Sequence, residues 1–259
     1  MSLNNTFKNK LLAGQRQLGG WSLSGSATIA EAMAHLDYDY LVLDLEHGPS
    51  STQDLLQLLR AVEQTTTQPV VRMASHDPIA IKQALDLGAM NLYFPFVENV
   101  AEAEAIVQAA FYPPAGRRGF AKMHRASRYG TRTTYVEDAN DAICLMAQLE
   151  TPEALAQAVE IGKVPGISAV FIGPGDLSAA LGLHGQVNHP EVRQLAADTV
   201  ARCREAGIAV GTVVPAPADA VWAFGVGFSY VSIANDVASL LTKCREHLAD
   251  ARQGLGEAL

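Results

Sequence analysis

Four apolar runs in this chain end in charged or polar groups that a buried strand has no structural use for, because an unpaired charge at the end of a core element is costly. Residues 40–45 lead into Asp44, Glu46 and His47 before Gly48-Pro49 turns the chain; 69–72 end on Arg72; 144–150 end on Glu150; 169–172 lead through Gly173-Pro174-Gly175 to Asp176. Glu150 and Asp176 follow successive apolar runs, so two carboxylates converge on one rim. Two oxygen ligands are too few for a calcium cage, but they suit a hard ion such as Mg²⁺ or Mn²⁺ that keeps waters and takes further ligands from substrate; the choice among Mg²⁺, Mn²⁺ and Co²⁺ is left open. The structural alternative is that each acid caps the helix that follows it. His47 supplies an imidazole able to move protons near neutral pH, and Arg72 a guanidinium able to bind a carboxylate or an oxyanion. Asp44, three residues before His47, is placed to orient that ring; an Asp44–Arg72 or Glu46–Arg72 ion pair closing the barrel end is the alternative. Gly173 and Gly175 let backbone approach a ligand, and the short helix expected at 176–181 favours an anion at its start; a plain tight turn reads equally well. Gln148, two residues before Glu150, shares its face. Trp21 either walls the pocket or fills the core, and Asp86, near a helix end where an acid is mildly unfavourable, is a candidate subunit contact.

The elements that carry these residues alternate along the whole chain. Strands are expected at 20–24, 40–45, 69–73, 91–95, 143–149, 169–172, 208–214 and 230–234. Helices are expected at 28–36, 52–62, from Asp77-Pro78 onward, and at 100–110, 152–161, 176–181, 190–206, 216–224 and 237–255. A segment from Tyr112 to about Asn140, rich in arginine, reads as a long insertion. Eight strand–helix units without a linker imply a closed (β/α)8 barrel, a single domain over residues 1–259 with its chemistry at the strands' C-terminal ends. An open doubly wound sheet lacks support, since no G-x-G-x-x-G follows the first strand.

Composition narrows the function. With 19 basic and 27 acidic residues the net charge is −8, and no basic cluster exceeds Gly116-Arg-Arg-Gly119, which argues against nucleic-acid and anionic-membrane partners. No apolar run approaches a membrane span, and the first residues lack the apolar core of a secretory signal. Three widely spaced cysteines form neither a disulfide framework nor a zinc pattern, so a reducing cytoplasm is expected.

The segments Asp44-Leu-Glu-His-Gly-Pro49, Pro69-Val-Val-Arg72, Tyr112-Pro-Pro-Ala-Gly-Arg-Arg-Gly119, Gln148-Leu-Glu150 and Phe171-Ile-Gly-Pro-Gly-Asp-Leu-Ser178 together resemble the HpcH/HpaI aldolase family, the metal-dependent (class II) pyruvate aldolases, over roughly residues 7–255. The resemblance implies a barrel of the phosphoenolpyruvate/pyruvate-binding type whose last helix swaps between subunits, commonly in a homohexamer built as a trimer of dimers. It implies a divalent ion on Glu150 and Asp176, His47 as acid/base acting through metal-bound water with Asp44 orienting it, and Arg72 on the keto or enolate oxygen. Gly173 and Gly175 would offer backbone to the pyruvate carboxylate, and Asp86 would stand near the neighbouring subunit's site. Gly175 replaces a more usual alanine or serine, and residues 122–130 keep the R-A-S-R-Y/W pattern with their own leading residues.

The reaction expected is reversible cleavage of a 4-hydroxy-2-oxo acid to pyruvate and an aldehyde, with Lewis-acid stabilisation of the enolate. A Schiff-base aldolase needs a lysine at a strand end, and Lys8, Lys10, Lys82, Lys122, Lys163 and Lys243 all fall elsewhere. An acyl-CoA lyase of the citrate lyase beta or malyl-CoA lyase type would share the metal logic but needs a site for the CoA moiety. A non-catalytic 2-oxo-acid-binding barrel would have no need of Asp44 and His47.

Overall fold

The computed structural model describes residues 3–255. Eight parallel strands close into a barrel in sequence order: β1 (Gln17–Ser22), β2 (Tyr40–Asp44), β3 (Gln68–Arg72), β4 (Asn91–Phe94), β5 (Cys144–Leu149), β6 (Ile167–Ile172), β7 (Val210–Val213) and β8 (Tyr230–Asn235). The helices are α1 (Thr6–Leu12), α2 (Ala27–Ala34), α3 (Thr52–Val62), α4 (Pro78–Asp86), α5 (Val100–Ala110), α6 (Tyr135–Ala142), α7 (Pro152–Ala156), α8 (Ala158–Gly162), α9 (Pro174–Ala180), α10 (Pro190–Glu205), α11 (Pro217–Val226) and α12 (Asp236–Gly254). Strand alternation sorts the core into two clusters. Leu41, Leu43, Val71, Leu92, Leu145 and Val170 face the helices, whereas Trp21, Tyr40, Val42, Val70, Tyr93, Met146 and Phe171 fill the barrel. The large interior rings need small neighbours: a Cβ on Gly19 would stand 2.3 Å from Tyr40, and one on Gly211 2.1 Å from Tyr230.

Local chemistry sets the helix starts. Ser51 and Asp54 form a capping box on α3, and Asp77 accepts from the N–H groups of Ile79 and Ala80 ahead of Pro78 in α4. Three features depart from the sequence expectation. α1, not anticipated, covers the barrel's N-terminal end: Phe7 is fully buried and meets Tyr40 and Tyr230 edge-on at 5.1 and 5.7 Å. The helix expected over 152–161 is broken at Gln157, because Arg202 draws the carbonyls of Leu155 and Ala156 out of the ladder (2.8 and 3.1 Å) and Gln157 bonds to Glu98 O. The expected insertion is ordered around Tyr112, Tyr135 and Ala139 and ends in α6.

α12 leaves the barrel beyond its first turn. Of its described residues only Asp236 is buried, and Leu240, Leu241 and Leu248 are 58%, 46% and 51% exposed. Among the described residues no helix is long and apolar enough to cross a membrane.

Candidate active site

The strand ends surround a cavity of about 260 Å³, lined among others by Trp21, Asp44, His47, Arg72, Gln148, Glu150, Gly173, Gly175 and Asp176. The residues singled out in the sequence meet here except Asp86 and Glu46, the latter standing beside Arg72 and His47. A larger groove, about 600 Å³, lies outside the barrel between α4 and α5 and contains none of these strand-end groups.

On the β2–β3 side, Asp44 and Arg72 are register partners at adjacent strand ends. Arg72 Nε donates to Asp44 Oδ1 at 3.0 Å, and Nη2 donates to Oδ2 in a second, shorter bond. Asp44 also accepts from Trp21 Nε1 (3.0 Å) and from the backbone N–H groups of Glu46 (2.9 Å) and His47 (3.2 Å). Burial alone would raise its pKa, but the bonds and charge of Arg72, with the Trp21 bond, outweigh burial and hold the carboxyl below its ordinary range. The ion pair weighed as an alternative in the sequence is therefore present, and Arg72 still lines the cavity. Arg72 Nη1 lies 2.9 Å from Glu46 Oε2, an ion pair by distance without hydrogen-bond alignment, since that buried oxygen has no aligned donor.

This corrects the expectation for Asp44. It meets His47 through the backbone N–H and not the ring, because its two oxygens are already committed to five donors. The carboxylate beside the imidazole is Glu46, whose Oε1 lies 3.9 Å from His47 Nε2. His47 sits at the mouth with its side chain 60% exposed.

Across the cavity, Glu150 is 2% exposed. Burial, with the like charges of Asp176 and Glu46, pushes its pKa up to about 7, opposed by a 2.9 Å hydrogen bond from Phe96 N–H. Phe96 has φ +49°, in the left-handed region, and that turn aims its N–H at the carboxylate. Gln148 is buried beside Glu150, with Nε2 3.4 Å from Glu150 Oε1 and its own Oε1 without a partner.

The glycine loop also differs from expectation. α9 starts at Pro174, so Gly175 and Asp176 lie within its first turn, where N–H groups have no intrahelical acceptor. Gly173 N–H is already taken by Leu149 O at 3.2 Å, so Gly173 contributes room and not a donor: a Cβ there would stand 2.4 Å from Glu150 Oε1. A Cβ on Gly175 would meet nothing within 4 Å, so the side it faces is open.

Asp86, at the end of α4, lies outside this cavity. It is bound by the buried Arg118 at 2.6 Å, has His124 Nε2 at 3.9 Å, and is 24% exposed. Leu23, Val213 and Asn235 also line the cavity and were missed; as single residues at or just past strand ends they carry no sequence signal of chemistry. Asp236 was missed as well. It gathers Leu23 N, Ser24 N and both Ser22 and Ser24 hydroxyls, fastening the β1 rim to α12. Among the described residues no group of three or more His, Cys, Asp or Glu forms a ready-made metal cage.

Comparison with known proteins agrees with the fold. Over 231 residues the chain is 43% identical to 2-dehydro-3,6-dideoxy-6-sulfogluconate aldolase of Pseudomonas putida, covering 89% of this chain and 91% of that protein. It is 46% identical over 207 residues to hydroxypyruvate/pyruvate aldolase of Sagittula stellata, covering 80% and 82%. A crystal structure of an HpcH/HpaI aldolase/citrate lyase family protein from Burkholderia cenocepacia superposes with a TM-score of 0.93 at 34% identity, over 96% of this chain and all of that one. The sequence pattern of the HpcH/HpaI aldolase/citrate lyase family matches residues 17–243, and the chain belongs to that family.

Proposed function

We propose that this protein is a class II aldolase, a carbon–carbon lyase that reversibly cleaves a 4-hydroxy-2-oxo acid to pyruvate and an aldehyde. The observation that carries the reading is one cavity in which Glu150 and Asp176 face Arg72, with His47 at the mouth. The aldolase names of the two relatives, one of which includes pyruvate, support it.

The Glu150 corner suits a small divalent cation, Mg²⁺, Mn²⁺ or Co²⁺. A buried carboxylate raised by like charges gains from a cation, Gln148 Oε1 lacks a partner, and Gly173 leaves Glu150 Oε1 uncrowded. Such an ion, held by Glu150 and Asp176, supplies Lewis-acid stabilisation of negative charge on the 2-oxo acid. The chain's own groups do the rest. The outer edge of Arg72, left free by Asp44, donates to the oxygen that gains charge as the carbon–carbon bond breaks. Gly175 N–H, in the first turn of α9, binds the substrate carboxylate. His47 takes the 4-hydroxyl proton in cleavage and returns it in synthesis, with Glu46 beside its ring. Asp44 fixes Arg72 and the backbone of the His47 loop.

We further propose a homo-oligomer, a hexamer as a trimer of dimers, in which α12 is exchanged between subunits and Asp86 stands near a neighbour's cavity. The exposed leucines of α12 and the partial exposure of Asp86, already braced by Arg118, support this. A cytoplasmic location fits three free cysteines.

The test is cleavage of a panel of 4-hydroxy-2-oxo acids after thorough chelation, after re-addition of metals, and after borohydride plus pyruvate. Activity lost to chelation, restored by a divalent ion and insensitive to borohydride is expected. Full activity after chelation, or irreversible inactivation by borohydride, would sink the reading.

A further inference from the structure

Trp21 touches both members of the Asp44–Arg72 pair. Its Nε1–H donates to Asp44 Oδ2 at 3.0 Å, and the Arg72 guanidinium carbon lies 4.8 Å from the centroid of its ring. The ring is held in turn by the layer beneath, stacked on Tyr93 at 6.2 Å and tilted against Phe171 at 6.0 Å, and is 6% exposed. Core filling explains the burial and the ring contacts. It does not explain why an indole, whose buried N–H must find an acceptor, is aimed at the carboxylate that takes two hydrogen bonds from Arg72.

Asp44 takes Nε and one Nη2 hydrogen of Arg72, and Glu46 Oε2 stands 2.9 Å from Nη1 without hydrogen-bond alignment, so the Nη hydrogens along the outer edge of the guanidinium are what is left for substrate. The direction of that edge follows the tilt of the Asp44 carboxylate. The Glu46 and His47 backbone N–H groups hold Oδ1. Besides Arg72 itself, Trp21 is the residue whose side chain holds Oδ2 among the described residues. Its π face adds a second restraint on the cation.

We propose that Trp21 is a positioning residue for Arg72: its N–H fixes the Asp44 end of the pair and its ring face fixes the guanidinium, so that the free edge points at the oxygen that gains charge. This rests on the reading of Arg72 as the donor to that oxygen.

The test is a double-mutant cycle of Trp21→Phe and Trp21→Leu in the wild-type and Arg72→Ala backgrounds. Both kcat and KM for cleavage are measured, together with exchange of the pyruvate methyl protons in deuterated water. Trp21→Phe keeps an aromatic face and loses the N–H; Trp21→Leu loses both. A lost hydrogen bond to a charged group predicts a fall in kcat of about 10-fold or more for Trp21→Phe, with a larger fall for Trp21→Leu and KM within about threefold of wild type. With Arg72 already alanine, either change should cost less than about twofold, because coupled residues are not additive. The Arg72 Nε–H resonance, sharp in wild type, should broaden in Trp21→Phe, a signature that needs no activity and that a mere wall of the pocket would not produce. Equal losses in both backgrounds, an effect on KM alone, or an unchanged Arg72 resonance overturns the positioning role. Wild-type cleavage by Arg72→Ala would instead topple the reading of Arg72 itself, and the proposal with it.

Discussion

Replacing Glu150 by Gln should make the metal-free protein more stable at alkaline pH while removing its activity. Glu150 is 2% exposed, and burial with the nearby Asp176 and Glu46 raises its pKa from 4.5 to about 7. In the unfolded chain the same carboxyl titrates near its ordinary value. Between those two values the folded state holds a proton that the unfolded state has released, so stability falls as pH rises through the window. Below pH 4.5 both states are protonated and there is no penalty. Above pH 7 both are ionised, and the folded state carries the whole cost of a buried charge. At 1.36 kcal/mol per pKa unit, that cost is about 3 kcal/mol.

Glutamine is nearly isosteric, does not titrate, and keeps a carbonyl oxygen for the Phe96 N–H that now bonds Glu150 Oε2. The assay is urea unfolding of the EDTA-treated wild type and Glu150→Gln across pH 5–8. Other groups titrate alike in the two proteins and cancel in the difference. The variant should be close to wild type at the acid end and more stable by up to about 3 kcal/mol at pH 8, which in a chain of this size is several degrees of melting temperature. Added Mn²⁺ should stabilise the wild type and leave the variant unmoved. A difference that stays flat with pH, or a variant less stable than wild type at pH 8, would refute the picture of Glu150 as a carboxylate whose charge awaits a cation.

The other expectations can be checked on purified protein. Arg72→Ala should lower both cleavage and pyruvate methyl exchange by roughly 10²–10³, the cost of one lost oxyanion donor; Arg72→Lys should recover only part, since an ammonium cannot reproduce the two-point grip on Asp44. His47→Ala should reduce cleavage by about 10²–10⁴ while pyruvate still protects the protein against thermal unfolding; wild-type cleavage would reduce His47 to a rim residue. Gly173→Ala, whose Cβ would lie 2.4 Å from Glu150 Oε1, should weaken Mn²⁺ binding at least tenfold by displacing that carboxylate; unchanged Mn²⁺ titration would show that the loop gives way. Leu240→Glu with Leu241→Glu on α12 should shift the assembly to smaller species in light scattering, and an unchanged mass would remove α12 from the interface.

The barrel was legible because its signals are local and repeated: apolar runs of strand length, caps such as Ser51 and Asp77, and one helix behind each strand. The same logic brought Asp44, His47, Arg72, Gln148, Glu150 and Asp176 to one rim, since every strand of a parallel barrel ends on the same face. What stayed hidden depends on contacts far apart in sequence. No local pattern reveals that Arg202 would break the helix after Pro152, that Phe7 would cover the barrel floor, or that Asp236 would fasten the β1 rim from more than 200 residues away. Spacing also misassigned roles within the site. Asp44 lies three residues before His47, which suggested a carboxylate orienting an imidazole; the fold spends that carboxylate on Arg72 and Trp21 and puts Glu46 beside the ring. Gly173, whose backbone the family resemblance assigned to a substrate carboxylate, gives its N–H to Leu149 O and leaves room beside Glu150. Spacing along a strand reports which face a side chain shares, whereas the partner it chooses is decided by the neighbouring strand. Roles assigned from one segment alone are therefore the first to need correction, and here each correction points toward Arg72 or Glu150, the two groups on which the proposed chemistry depends.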